Sequence, residues 1–181
     1  LAVLAANSLK WNSAGTSGVW DTGATAVWLN LSNSTQTVFS PFDQVLFDDT
    51  VGVSNNVTVS GTVAPRLITV DSSTNNFTIS SGTINGSGGL VKKGSSTLNI
   101  FNSGTLTGPV TIGGGLVYAG NNSFNSVASI TITNNATLDL GGGTFKNNKP
   151  ITVSGSGVNG EGAIINSYND YPGQSANITL A

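Results

Sequence analysis

The carboxylates are the first side chains to consider for chemistry, because hydrolysis of a glycosidic bond needs two carboxyl groups on either side of the bond. The chain has eight: Asp21, Asp43, Asp48, Asp49, Asp71, Asp139, Glu161 and Asp170. Only Asp48 and Asp49 are adjacent, and neighbours in a strand point to opposite faces, so a turn at Asp49 and Thr50 is the better interpretation of this pair. The absence of His and Cys removes the commonest general base and cysteine-based zinc sites. We therefore assign no catalytic residue, no metal ligand and no cofactor, and expect that the protein is not an enzyme.

The aromatic residues are the other candidates, because the apolar face of a sugar ring stacks on a flat Trp or Tyr while amides and carboxylates bind the hydroxyls. The segment SYNDYPG (167–173) carries the most site-like group, which is Tyr168, Asn169, Asp170 and Tyr171. The alternative is that this loop only packs on a corner of the fold.

Two more aromatic residues belong to the candidate carbohydrate-binding set. Tyr118 ends the segment LVY and points outward if Val117 points inward. Trp20 is one of three Trp, with Trp11 and Trp28. We interpret the three as the core of a cap and keep Trp20 as a candidate surface platform.

A four-residue phrase that occurs seven times must position these side chains. Each copy has a turn-type residue, an apolar residue, a Thr or Asn and a second apolar residue, which is typical of a strand with one buried face. The copies are NVTV (56–59), NFTI (76–79), TLNI (97–100), PVTI (109–112), SITI (129–132), PITV (150–153) and NITL (177–180). Their first apolar residues are Val57, Phe77, Leu98, Val110, Ile130, Ile151 and Ile178, and the successive differences between these sequence numbers are 20, 21, 12, 20, 21 and 27.

This spacing is typical of a solenoid, in which one supersecondary unit recurs every ~20 to 50 residues. Further short apolar runs lie between the phrases, so each turn of the coil holds at least two strands. The pattern predicts an all-β chain that forms a parallel β-helix with rungs of about 20 residues, with the phrase residues pointing inward in stacks along one axis. The gap of 12 fits an extra or shortened face. An antiparallel sandwich is the alternative, although its strands usually recur every ~8–12 residues without a longer identical phrase.

Residues 7–50 differ from the rest because they contain all three Trp, together with Phe39, Phe42 and Phe47. A solenoid exposes backbone and apolar side chains at its first coil and therefore needs a cap of different composition. We predict one structural domain, with an aromatic N-terminal cap segment at 1–43 and the β-helix at 44–181.

The charge of the chain limits its partners. Only 8% of residues are charged, and six basic residues in a chain of net charge −2 give no electrostatic footprint for nucleic acid. The basic neighbours are Lys92 with Lys93 and Lys146 with Lys149, and we expect both pairs at solvated corners. No stretch approaches the ~20 apolar residues of a membrane helix, so we expect no membrane partner.

The segments GGLVKKGSSTLNI (88–100) and GTLTGPVTIGGGLVYAG (104–120) resemble the autotransporter-associated β-strand repeat of bacterial surface and secreted proteins. The resemblance rests on a Gly-Gly-Leu strand, a Lys-containing turn, a Thr-Leu strand and a Gly-Gly corner before the next strand. The aromatic opening also resembles what precedes such repeats in long secreted bacterial proteins. The resemblance implies a right-handed parallel β-helix, secreted or at the bacterial cell surface, and by itself implies no activity.

In overall pattern the chain is similar to the β-helical xylan-binding family of carbohydrate-binding modules. This similarity implies a non-catalytic module that binds a plant cell-wall polysaccharide, xylan or a related β-glycan. Its covalently linked partner would be the catalytic domain of a secreted bacterial glycoside hydrolase. The alternative function is a structural passenger or adhesin stalk of a bacterial surface protein, with no ligand of its own.

Overall fold

The computed structural model of the chain describes residues 6–13, 18–50, 53–120, 123–141, 150–168 and 177–180. It is a parallel β-helix with rungs of about 21 residues, as the repeated phrase predicted. The strands are β1 (Ser8–Trp11), β2 (Val19–Trp20), β3 (Trp28–Asn30), β4 (Thr35–Thr37), β5 (Gln44–Asp48), β6 (Asn56–Val59), β7 (Thr62–Val63), β8 (Leu67–Asp71), β9 (Phe77–Ser80), β10 (Thr83–Gly86), β11 (Leu90–Lys93), β12 (Thr97–Ile100), β13 (Ser103–Leu106), β14 (Val110–Ile112), β15 (Leu116–Ala119), β16 (Ile130–Ile132), β17 (Thr137–Asp139), β18 (Pro150–Val153), β19 (Ile164–Ile165) and β20 (Asn177–Leu180). A 3₁₀ turn covers Val158–Gly160.

Three sheets surround the core. Sheet A has the strand order β4-β3-β1-β5-β8-β11-β14-β16-β18-β20, sheet B has β2-β6-β9-β12-β15-β17-β19, and sheet C has β7-β10-β13. Neighbouring strands are parallel, except that β3 is antiparallel to both β1 and β4. From β5 to β14 the chain passes in turn through sheets A, B and C. We call the bend between a sheet A strand and the sheet B strand that follows it the A–B corner.

Alternation along each strand sends apolar side chains into the core in aligned columns. On sheet A the buried column is Val45, Ile68, Leu90, Val110, Ile130 and Ile151. On sheet B it is Phe77, Leu98, Val117 and Leu138. Full burial of a side chain of this size contributes about 1.5–3 kcal/mol, so the two columns are a large source of stability. The predicted inward orientation is confirmed for the phrase residues in these columns, which are Phe77, Leu98, Val110, Ile130 and Ile151.

The phrase residues form stacks along the coil axis, as predicted, but the seven phrases divide between two sheets. The copies that begin at 56, 76 and 97 lie on sheet B, whereas those at 109, 129, 150 and 177 lie on sheet A. The short interval between the third and fourth copies is therefore the passage from β12 on sheet B through β13 on sheet C to β14 on sheet A. Val57 is buried but aligns with Ile79 instead of Phe77. Ile178 aligns with Ile151, and its side chain lies outside the described residues.

Glycines at the A–B corner allow successive rungs to touch through their backbones. A Cβ on Gly94, where φ is +66°, would lie 2.1 Å from the carbonyl oxygen of Ser72 in the preceding rung. A Cβ on Gly115, where φ is +64°, would lie 2.2 Å from the carbonyl oxygen of Ser96. Both the positive φ and the close approach require glycine at these positions.

Parallel pairing begins within the segment predicted as a cap, residues 1–43. There β1 pairs with β5 and β2 pairs with β6, both in parallel. The antiparallel strands β3 and β4 then extend sheet A beyond β1. They supply the strand pairing that a first rung otherwise lacks.

All aromatic residues described in this segment except the exposed Phe42 form one buried cluster, which Phe47 of β5 joins. The ring centroids of Trp11 and Trp28 are 4.9 Å apart, and those of Trp28 and Phe47 are 5.5 Å apart, both in edge-to-face geometry. Phe47 also lies 5.4 Å from Phe77, which joins the cluster to the columns of the rungs. The interpretation of the three Trp as buried core is confirmed, since each is at most 1% exposed.

Lys92 corrects the expectation that both lysines at 92 and 93 lie at a solvated corner. Lys93 is exposed, but Lys92 is fully buried between Val70 and Ile112 in the inward column of sheet A. Its ammonium group donates hydrogen bonds to the carbonyl oxygens of Lys93, of Gly94 at 3.0 Å and of Gly114 at 3.5 Å. Burial lowers the pKa of Lys92 to about 8, although Asp71 and Asp49 oppose the shift. Lys146 and Lys149 lie outside the described residues.

Candidate functional site

The adjacent carboxylates Asp48 and Asp49 have structural partners. Asp49 accepts hydrogen bonds from the Ser72 hydroxyl and from the amides of Ser73 at 2.8 Å and Thr74 at 3.0 Å, in the next rung. These bonds, the Ser72 hydroxyl first, hold the pKa of Asp49 well below its ordinary range. Asp48 accepts from the amide of Thr50 at 3.0 Å, which is the turn that the sequence predicted.

The two most buried carboxylates of the described residues also serve the backbone. Asp43 accepts from the amides of Asn7 at 2.7 Å and Ser40 at 2.9 Å. Asp139 accepts from the amides of Gly141 at 2.9 Å and Ser167 at 3.1 Å. Within the described residues, no three acidic side chains gather as a metal site would need.

The prediction of Trp20 as a candidate surface platform is wrong, because its side chain is completely buried. It aligns with the inward Val59 of β6, and its ring lies 5.3 Å from Trp28 and 5.5 Å from Phe39. A ligand cannot stack on this ring without opening the cluster.

Tyr118 points outward from sheet B, as its alternation with the buried Val117 predicts. It is half-buried, since its ring lies 5.5 Å from the Phe101 ring and its hydroxyl donates to the carbonyl oxygen of Gly141 at 3.1 Å. A Cβ on Gly141 would lie 2.6 Å from the Tyr118 ring, so the ring lies directly against this backbone. The ring is therefore held in a fixed orientation with part of its surface in solvent.

Tyr168 is 60% exposed and belongs to the same side of the molecule. Tyr118 aligns with Asp139 of the next rung, and the Asp139 carboxylate binds the amide of Ser167, the residue before Tyr168. We call Phe101, Tyr118 and Tyr168 the tyrosine face. Asn169, Asp170 and Tyr171, which the sequence placed in the same site, lie outside the described residues.

A groove of about 520 Å³ runs along the A–B corner. Four successive rungs line it with residues 94–95, 113–115, 134–135 and 156–160, and we call it the corner groove. Its lining consists of Gly, Ser and Asn with one Val, and no lining side chain is charged. Since neighbouring strands lie ~4.8 Å apart, successive rungs contribute their lining residues at that interval along the coil axis.

Hydrogen bonds between rungs orient the amides of the groove. Asn134 and Asn135 have φ of +53° and +57°, a left-handed conformation that Asn tolerates better than most residues. The Asn135 side-chain oxygen accepts from the amide of Ser156 at 3.1 Å, and the Asn134 side chain donates to the Gly113 carbonyl at 3.4 Å. The groove therefore presents preoriented, uncharged donors and acceptors, which suit a ligand rich in hydroxyl groups.

Sequence reasoning missed the corner groove, although a signal was present. Gly114, Asn135 and Ser156 of the groove follow one another at equal intervals in the sequence, and that interval is the length of one rung. Small or amide residues thus recur once in each rung. Only the register of the sheets shows that they stack into one continuous surface.

Among the described residues, no helix is long and apolar enough to span a membrane. Comparisons of the chain with protein-family models, with curated proteins and with solved structures each find no match.

Proposed function

We propose that the protein is a non-catalytic carbohydrate-binding module whose corner groove holds a polysaccharide chain along the coil axis. The observation that carries this proposal is the lining of the groove, which offers amide and hydroxyl side chains from three of its four rungs and no charged side chain. An uncharged glycan needs many hydrogen bonds and no ion pair, which matches this lining. Tyr118 lies in β15 of sheet B, which begins beside the groove, so the tyrosine face supplies aromatic surface for a sugar ring.

The proposed ligand is a plant cell-wall polysaccharide, with xylan or a related β-glycan as the first candidate. The similarity in overall pattern to the β-helical xylan-binding modules supports this choice. The same similarity supports two further parts of the proposal, which are a secreted or cell-surface bacterial location and a covalently linked glycoside hydrolase domain. In that setting the module keeps the linked enzyme close to the polymer and so raises its effective concentration there.

Affinity electrophoresis against soluble xylan, β-glucan, mannan and pectin, with pull-down on cellulose, tests the proposal. Asn135→Gly removes a groove amide at a position whose positive φ suits glycine, so we expect about tenfold weaker retention on the polymer that the wild type binds. The matched control is Asn56→Ala, which removes an exposed amide outside the groove and leaves retention unchanged. A wild-type protein that none of these polymers retards contradicts the proposal.

Tyr168→Ala tests the tyrosine face separately. Base-to-aromatic stacking, the nearest calibrated analogue, contributes about 1–3 kcal/mol per ring, so loss of one exposed platform weakens binding about tenfold. Because Tyr168 is 60% exposed, its removal leaves the melting temperature nearly unchanged. Unchanged retention removes Tyr168 from the site.

One observation favours the alternative, a structural stalk without a ligand. The Asn135 side chain already binds the amide of Ser156, and the Ser95 hydroxyl donates to the carbonyl of Ser73 at 3.3 Å, so groove side chains also connect rungs. On that account, Asn135→Gly lowers the melting temperature and the wild type binds none of the polymers.

A further inference from the structure

Phe42 is an aromatic side chain that the fold holds in solvent just before β5. It is 68% exposed, and its φ of +72° lies in the left-handed region that bulky side chains rarely adopt. A residue in this conformation costs free energy, and an exposed ring regains little of it through burial. Stability of the fold therefore does not explain a Phe at this position.

The turn that carries Phe42 is fixed from both sides. The amide of Phe42 donates to the carbonyl of Ala64 in the next rung at 2.8 Å. The adjacent Asp43 is 2% exposed, and its carboxylate binds the amides of Asn7 and Ser40. Since the backbone on both sides is anchored, the ring is presented in one place, which lowers the entropy lost when a ligand binds.

A second cleft, of about 330 Å³, crosses the outer face of sheet A, from Ser8 and Gln44 at the start of β1 and β5 to Asp71 and Lys93 at the end of β8 and β11. Its lining includes Ser8, Leu31, Gln44, Thr69, Asp71 and Lys93. Gln44 is two residues from Phe42, and Leu31 is a 46% exposed apolar residue from the bend between β3 and β4. The cleft thus combines several hydrogen-bonding side chains with an apolar border.

We propose that Phe42 and this cleft form a second sugar-binding site, in which one ring of a glycan stacks on Phe42 and its hydroxyls bind the polar groups of the cleft. This inference rests on the proposed function and adds a subsite on the outer face of sheet A, next to the N-terminal end of β5. Ser40 and Pro41, which precede Phe42 in the chain, are exposed as well and have small side chains. A protein partner needs a patch of about 800 Å² with an apolar centre, whereas a sugar ring needs one flat apolar surface with a polar rim.

Three variants at position 42 separate binding from folding. Phe42→Gly and Phe42→Ala both remove the ring, but only glycine also relieves the left-handed backbone. Phe42→Trp keeps a stacking surface. We expect about tenfold weaker retention of the Gly and Ala variants on the soluble xylan, β-glucan or mannan that retards the wild type, and full retention of the Trp variant.

The melting temperature distinguishes a binding role of Phe42 from a structural one. Removal of the ring lowers the melting temperature only if the ring supports the fold. We expect Phe42→Gly to melt at or above the wild-type temperature while it loses retention, and Phe42→Ala to melt below Phe42→Gly. A Phe42→Gly variant that melts several degrees below the wild type would show that the ring supports the fold, and this would overturn the inference. Normal retention of both ring-free variants would overturn it too, and would leave the corner groove as the site. Failure of every polymer to retard the wild type would overturn the proposed function, and this subsite with it.

Discussion

Replacement of the buried Lys92 by Met should change how the stability of the protein depends on pH. Met has a similar length and is apolar, so it fits the column between Val70 and Ile112. The pKa of Lys92 is lowered from its ordinary value of 10.5 to about 8 in the folded protein. Between these two pH values the unfolded chain binds more protons than the folded protein, so the free energy of unfolding of the wild type rises with pH across this window.

The size of the effect follows from the two pKa values of Lys92. Their difference, at ~1.36 kcal/mol per pH unit, limits its contribution to about 3 kcal/mol, of which about 2 kcal/mol falls between ~pH 7 and ~pH 9.5. At a single pH the substitution is less informative. It removes a costly buried ammonium group, but it also leaves the carbonyls of Lys93, Gly94 and Gly114 without this donor. These two contributions have opposite signs and similar size, about 1–3 kcal/mol.

Urea unfolding at several pH values, followed by Trp fluorescence, measures this dependence. All three Trp are buried, so their emission reports the loss of the aromatic cluster. Lys93→Met is the matched control, because Lys93 is the exposed neighbour of Lys92. We expect the control to follow the wild type and Lys92→Met to lack about 2 kcal/mol of the rise. Equal pH dependence in the wild type and Lys92→Met would refute the reasoning.

Three further substitutions have defined outcomes. Trp28→Ala removes a ring that contacts four others, and calorimetry should show about 3–5 kcal/mol of destabilisation; a loss under ~1 kcal/mol would mean that the cluster adds little to stability. Asp49→Asn weakens the hydrogen bonds to residues 72–75. Because the fold lowers the pKa of the Asp49 carboxyl, this group contributes stability that is lost as pH falls below ~3.8. A circular dichroism titration with acid should show that the variant lacks this part of the loss. Gly141→Ala places a Cβ 2.6 Å from the Tyr118 ring, so the melting temperature should fall, and fall less when Tyr118→Ala is also present; an equal fall in both backgrounds would assign the cost to the positive φ alone.

The repeated phrase predicted the strands and the parallel coil because period-2 alternation and rung spacing are local properties of the sequence. It did not predict which sheet each copy occupies. The same phrase suits any strand with one buried face, so NFTI at 76–79 on sheet B and PVTI at 109–112 on sheet A look alike. Lys92 was mispredicted for a different reason. It lies two residues after the inward Leu90, but its charge led to the expectation that it faces solvent. Three backbone carbonyls accept hydrogen bonds from its ammonium group and make burial possible.

The candidate site was less predictable than the fold, because its residues meet only through the register of neighbouring rungs. Tyr118 was found, since its orientation depends on Val117 beside it in the same strand. The corner groove was not, since Asn135 and Ser156 become neighbours only when β16 aligns with β18. Phe42 was grouped with the aromatic cap, because its positive φ cannot be read from the segment SPFD.

The glycine corners also limit how the length of such a protein can evolve. Each corner is a fit between two rungs, because the missing Cβ of Gly94 or Gly115 makes room for a carbonyl of the rung before. A single inserted residue would break that fit. A tandem duplication of about 21 codons would instead add one rung with the same corner, and would lengthen the coil by ~4.8 Å. Viable length variants of this gene should therefore differ by whole rungs, or by insertions that leave the glycine corners unchanged.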